Sequence, residues 1–261
     1  MTRSSAVRTL GWVLIALAAC AALLSLVWTP YDPLHADPAA RLAGPSWQHW
    51  MGTDALGRDI TSRIMHGARF TLSVACAAVA LSALVGVPLG VLAGMRRGAG
   101  RAVMAGADLL LAFPALLLAI VFTAVFGAST WVVIAAVGIA GIPGFVRVAR
   151  VGTMQIMHQD YILAARMSGV PAWRIAARHV LPNIGPIITV QISTALALAI
   201  LAEAGLSFLG MGTPAPYASW GRMLQASQPY LATSPHLALW PGCAIALTVL
   251  GFNLIGDRSA S

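Results

Sequence analysis

Lysine is missing from this 261-residue chain: all 16 of its basic residues are arginine. That absence excludes a Walker-type phosphate loop, Schiff-base catalysis and a pyridoxal site, each of which needs a lysine amine. If ATP is used, another chain must bind it. Charge of either sign is scarce, at 9% of residues against 59% hydrophobic. So few charges cannot cover a water-facing surface, which excludes a soluble globular protein, and the chain is too apolar to stay disordered. Acidic residues number 8, giving a net charge of +8. The three cysteines, Cys20, Cys76 and Cys243, all fall in apolar runs. That placement points to buried thiols in helix packing, with neither a disulfide nor a metal site.

What is present in quantity is long uncharged sequence. A helix crossing a bilayer needs about 20 apolar residues. Uncharged runs occupy residues 9–31, 70–95 and 109–146, the last long enough for two spans broken at Gly127-Ala128-Ser129. A fifth run covers 179–202 and continues past Glu203, and a sixth starts near Leu237 within 223–256. The fold class expected is therefore an all-α integral membrane protein of six transmembrane helices. With both termini inside, the inner segments hold eleven arginines and the outer ones five, which favours cytoplasmic termini. Leu17-Ala18-Ala19-Cys20 is similar to a lipoprotein cleavage box, but the apolar run continues through Trp28, so the segment is read as an uncleaved first span. The division expected is a cytoplasmic N-terminus (1–9), a first span (10–29), an extracytoplasmic loop (30–69), a five-helix core (70–256) containing a cytoplasmic loop at 147–182, and a tail (257–261).

The loop at 147–182 carries the most information. Tyr161 to Met167 are good helix formers, Gly169 suits a left-handed turn, and Pro171 suits the first turn of a helix over 172–179 that Leu181-Pro182 ends. Ala164 and Ala165 permit close approach, and Arg166, Arg174 and Arg178 give a positive rim. Two readings follow from spacing: an interfacial helix pair on anionic lipid, or a docking element for a soluble partner.

The outer loop places Asp54, Arg58 and Asp59 around Gly52 and Gly57. The spacing is wrong for a calcium loop. An arginine–carboxylate clasp on a tight turn fits it, as does an outward surface that receives another protein. Two acids lie in or beside spans, where a carboxylate at the bilayer centre costs about 2.5–3.5 kcal/mol. Asp108 is read either as part of a pathway or gate or as an interfacial acid paired with Arg101 or Arg97. Glu203, with Ser207 beside it, is read either as part of a pathway or outer gate, or as hydrogen-bonded to a neighbouring helix. Pro88, Pro114 and Pro186 are candidate kinks. Histidine spacings fit no zinc site, and Gly205-Leu206-Ser207-Phe208-Leu209 lacks the final glycine of a nucleophile elbow.

Ala164-Ala165 followed by Gly169, then His179-Val180-Leu181-Pro182-Asn183, resembles the "EAA" loop of ABC-importer permeases. Leu163 stands where that motif has its glutamate, so an ion pair from that site is not implied. His49-Trp50-Met51-Gly52-Thr53-Asp54-Ala55-Leu56-Gly57-Arg58-Asp59, Leu201-Ala202-Glu203-Ala204-Gly205-Leu206-Ser207-Phe208-Leu209-Gly210, Ser219-Trp220-Gly221 and Thr248-Val249-Leu250-Gly251-Phe252-Asn253 resemble the C-type subunit of dipeptide, oligopeptide and nickel importers. The resemblance implies the type I permease arrangement. It makes the short loop helix a coupling helix seated on an ATPase, with Asp160, Tyr161, Ala164, Ala165, Arg166, Gly169, His179, Leu181 and Pro182 as its residues. It also implies a heterodimer with a second permease, two ATPases that hold ATP and magnesium, and an extracytoplasmic binding protein, in a bacterial inner membrane. No cofactor, metal or nucleic acid is expected on this chain. Short peptides are the first substrate class and nickel the second. A stand-alone secondary transporter would want more intramembrane ionisable groups than Asp108 and Glu203.

Overall fold

The computed structural model describes residues 2–212, 214 and 217–256, so the tail at 257–261 lies outside the described residues. Helices dominate: α1 (Thr2–Leu24), α2 (Ile60–Met95), α3 (Arg97–Leu111), α4 (Ala115–Phe126), α5 (Thr130–Met157), α6 (Asp160–Met167), α7 (Ala172–Ile175), α8 (Leu181–Phe208), α9 (Trp220–Ser227) and α10 (His236–Gly256). Among the described residues, five stretches are long and apolar enough to cross a membrane, the fourth of them Ala172–Phe208. The sixth is a bent pair, α3 and α4, meeting at 79°. Pro114 sits at that corner as the residue capping α4. Its ring cannot continue a helix, and Phe113 before it is pushed toward extended backbone.

The centre of the bundle is the α2–α5 seam. Gly86, Gly90 and Gly94 recur every four residues on one face of α2, so the backbones approach closely. A Cβ added at Gly90 would lie 2.6 Å from the Val146 carbonyl oxygen and 2.7 Å from the Ala149 Cβ. Gly86 meets Ile142 to Val146, whereas Gly94 meets Arg150 and Thr153. Contacts advance together along both helices, so α2 and α5 run parallel. The chain between them must return across the bundle, which makes the bent α3–α4 pair one span. Gly144 meets Gln191 while Gly152 meets Ile184, so α8 runs antiparallel to α5. Gly11 and Gly251 bring α1 and α10 together at the periphery.

Several boundaries differ from the sequence expectation. Helix α2 begins at Ile60, ten residues before the uncharged run, because Asp59 caps it and Arg63 finds partners outside it. Residues 147–157 continue α5 and are not loop. Leu181-Pro182 does not end the second elbow helix. A π-turn at Ala176–Val180, with the Leu181 N–H donating to Ala176 O, carries α7 straight into α8. The wider turn keeps the carbonyl of residue 178 clear of the Pro182 ring. The cysteines are exposed on the chain, not buried. An apolar run cannot tell a lipid-facing side from a packed one, since both are apolar.

Candidate functional site

The elbow at one end of the bundle is built from α6, a turn and α7. Asp160 opens α6, where a carboxylate suits the helix N-terminus. Ser168 closes it through its N–H to Ala164 O at 3.0 Å, and Val170 N–H reaches Ala165 O at 3.1 Å. Gly169 between them has φ 74°, the left-handed region that a glycine adopts without strain. Ile162, Ile175 and Val180 are buried in one cluster with Val91, Ala149, Met157 and Ile184, which anchors the elbow to α2, α5 and α8. Tyr161 stacks near His179 at 5.9 Å between ring centroids. The outer face is apolar and uncovered: Tyr161, Leu163, Trp173 and Met167, the last 90% exposed. Ala164, Gly169, Leu181 and Pro182 are exposed, Ala165 half-buried, and Arg166 exposed at the rim. A cavity of about 710 Å³ separates α6 and α7 from Pro88 to Arg96 at the end of α2.

Glu203 lies near the opposite end and is 1% exposed. Its carboxylate accepts from Ser207 Oγ at 2.7 Å and from Thr71 Oγ1 at 3.2 Å. Thr71 Oγ1 in turn accepts from the Trp220 N–H at 3.3 Å, and the Trp220 indole donates to Ile64 O at 3.0 Å. Gly221 lets α9 settle on α8, since a Cβ there would lie 2.4 Å from Ala204 O. A single buried acid thus joins α2, α8 and the start of α9, each hydroxyl offsetting its desolvation. The hydrogen bond to a neighbouring helix, one of the two readings open for Glu203, is made to Thr71 of α2.

Asp108 does not pair with Arg101. Its ion pair among the described residues is to Arg147 at 2.7 Å, with both side chains about half-exposed, and the side chain of Arg97 lies outside the described residues. Spacing along α3 cannot reveal this partner, 39 residues away on α5.

In the segment before α2, Asp54 accepts from the Leu56 and Arg58 N–H groups at 2.8 and 3.0 Å and from Arg58 Nε at 2.7 Å. Arg63 adds a second cation to Asp54 at 3.4 Å. Asp59 caps α2 through the Ser62 N–H at 2.7 Å and meets His49 Nδ1 at 2.9 Å. Gly57 has φ 76°, and a Cβ there would fall 1.7 Å from Asp37 O. Asp54, Arg58 and Arg63 form an arginine–carboxylate clasp around a tight turn, and Asp59 stands outside it, on His49 and the α2 cap.

A family model described as "Binding-protein-dependent transport system inner membrane component" matches residues 86–261, which holds the elbow, Glu203 and α9. The chain belongs to that family. This permease is 42% identical over 230 residues to the glutathione transport system permease protein GsiD of Pectobacterium atrosepticum, covering 87% of this chain and 76% of that protein. It is 39% identical over 249 residues to the dipeptide transport system permease protein DppC of Alkalihalophilus pseudofirmus, covering 95% and 82%. A putative peptide permease of Brucella suis is 37% identical over 250 residues, covering 95% and 83%. Among solved structures, the inward-facing MetNI methionine ABC transporter matches with a TM-score of 0.65 over 76% of this chain and 95% of that one. At 17% identity that likeness shows the fold, the type I importer permease arrangement. The permease is a multi-pass inner-membrane subunit of an ABC importer, a family whose members work with ATPase and substrate-binding partners.

Reading the sequence of the permease missed Thr71 and gave Ser219 and Trp220 no chemical role. Ser219-Trp220-Gly221 stood out as a motif, but nothing local ties it to an acid sixteen residues earlier. The pairing of Glu203 with Ser207, by contrast, follows from i, i+4 spacing.

Proposed function

We propose that this permease is the non-catalytic half of a translocation pathway for short peptides, driven through its elbow by ATPases on partner chains. A homologous second permease completes the pathway, two ATPases hold ATP and magnesium, and an extracytoplasmic binding protein delivers substrate. The arginine-rich end, with both termini and the elbow, faces the cytoplasm. The observation that carries the coupling is the joining of α7 to α8: a displacement of the elbow passes into Ala172–Phe208 without a hinge loop. The elbow's inner face is anchored by Ile162 and Ile175, while its outer face offers apolar side chains to a groove on another chain. ATP binding closes the ATPases, draws the elbows with them and opens the pathway outward; hydrolysis resets it. The Asp54–Arg58 clasp stiffens the outer surface that meets the binding protein.

The glutathione, dipeptide and peptide names of the relatives support the substrate class. Among the described residues no three of His, Cys, Asp and Glu converge, so nickel has no ligand set of its own here. Asp108 and Glu203 sit in separate surroundings and form no relay, which leaves a stand-alone ion-driven carrier without support. The test is Ala164→Glu, or Gly169→Glu, in the assembled transporter. Loss of peptide uptake with weakened ATPase association is expected. Normal uptake and normal association would defeat the coupling.

A further inference from the structure

Arg101 of α3, Arg150 of α5 and Arg166 of α6 line one cavity of about 1100 Å³ at the arginine-rich end. None of the three has a carboxylate partner among the described residues. The Nε of Arg150 is buried with no hydrogen-bond partner. The one acid in the lining, Asp108, is taken by Arg147 at 2.7 Å. His158 is tied by Nδ1 to Met154 O at 2.6 Å. The cavity is therefore strongly cationic, and a buried guanidinium nitrogen without an acceptor is costly. Between the arginines the wall is apolar, from Met104, Met154 and Leu163.

Depth identifies what such a site would hold. The uncharged part of α5 ends at Arg147 and that of α2 ends at Arg96, so the cavity lies where acyl chains give way to headgroups. Helix α3, which forms one side, is amphipathic, as suits that plane. We propose that the cavity binds an anionic phospholipid, its phosphate between Arg101 and Arg150 and its acyl chains leaving the cavity toward the hydrocarbon on the Arg147 side. Because Arg166 belongs to α6, the lipid would tie the elbow to α3 and α5. That consequence rests on the coupling reading; the binding itself does not, so it is read directly.

The experiment uses the assembled transporter in detergent, with phosphatidylglycerol, phosphatidylcholine or inorganic phosphate added. Native mass spectrometry counts bound lipid, and a thermal shift reads its effect. Wild type should retain phosphatidylglycerol and gain several degrees from it, with little response to phosphatidylcholine. Arg101→Gln with Arg150→Gln should lose at least half of both signals. Arg101→Lys with Arg150→Lys, which keeps the charge if the glutamines prevent folding, should keep most of them. Arg178→Gln, at the same end but outside the cavity, should respond as wild type does. Equal responses to the two lipids, an unchanged glutamine double variant, or inorganic phosphate alone giving the full shift would each overturn the proposal. So would a double variant that loses ATPase association while its lipid response is intact.

Discussion

The hydroxyl of Thr71 in α2 donates to the carboxylate of Glu203 in α8 across 3.2 Å, where neither side chain meets solvent. The same hydroxyl accepts the Trp220 N–H, so one oxygen links three helices. Replacing Glu203 by leucine removes the acceptor to which the Thr71 and Ser207 hydroxyls donate. Each buried group left unpaired costs about 1–3 kcal/mol. Glu203→Leu is therefore expected to lower the melting temperature of the assembled transporter sharply, and Glu203→Gln to lower it by less than half as much. A double-mutant cycle with Thr71→Val should give a coupling of at least about 0.5 kcal/mol. Additive effects would mean that the contact contributes nothing.

The α2–α5 seam predicts a contrast between two glycines. At Gly90 a larger residue meets backbone and Ala149 at 2.6–2.7 Å, so Gly90→Val should destabilise by about 1–3 kcal/mol or more. At Gly98 in α3 an added Cβ meets nothing, and Gly98→Ala should stabilise by about 0.5–1 kcal/mol through helix propensity. Thermal unfolding followed by circular dichroism checks both.

Gly57 is the most constrained position of the outer clasp. Gly57→Ala has both a left-handed backbone and a clash with Asp37 O to accommodate, and the turn should open. Faster proteolysis within residues 30–59 is the expected readout. Gly44→Ala, with free space at its Cβ, should be cleaved at the wild-type rate.

The Asp108–Arg147 pair is short but about half-exposed. Exposed pairs are worth about 0–1 kcal/mol, less in salt. Asp108→Asn should shift thermal unfolding little, and not at all in about 1 M salt.

Much of the fold was legible because charge and glycine punctuate an otherwise apolar chain. The break at Gly127-Ala128-Ser129 is where Gly127 turns with φ 82° and Ser129 caps α5. The elbow was legible from Gly169 and the residues before it, and the last helix starts at His236, one residue from the expected Leu237. The remainder depends on partners distant in sequence. Arg63 and Arg69 read as loop residues, yet the first turns of α2 carry them, with Arg63 bonded to Asp54 and to Pro33 O at 3.2 Å. Pro182 read as a stop because nothing in composition announces a π-turn. Asn183 helps to hold that turn, its side-chain amide donating to His179 O at 2.6 Å. The partner of Asp108 was out of reach for the same reason: pairing between α3 and α5 exists only once the bundle has formed.

The helical stretch Ala172–Phe208 is 37 residues long. At 1.5 Å per residue that is about 55 Å, against about 30 Å of hydrocarbon. Taken as one lever pivoting at its midpoint, a stretch of that length would move each end about 5 Å, in opposite directions, for a tilt of about 10°. In the coupling proposed above, a push at the elbow end would be felt at the other end of this stretch, beside Glu203.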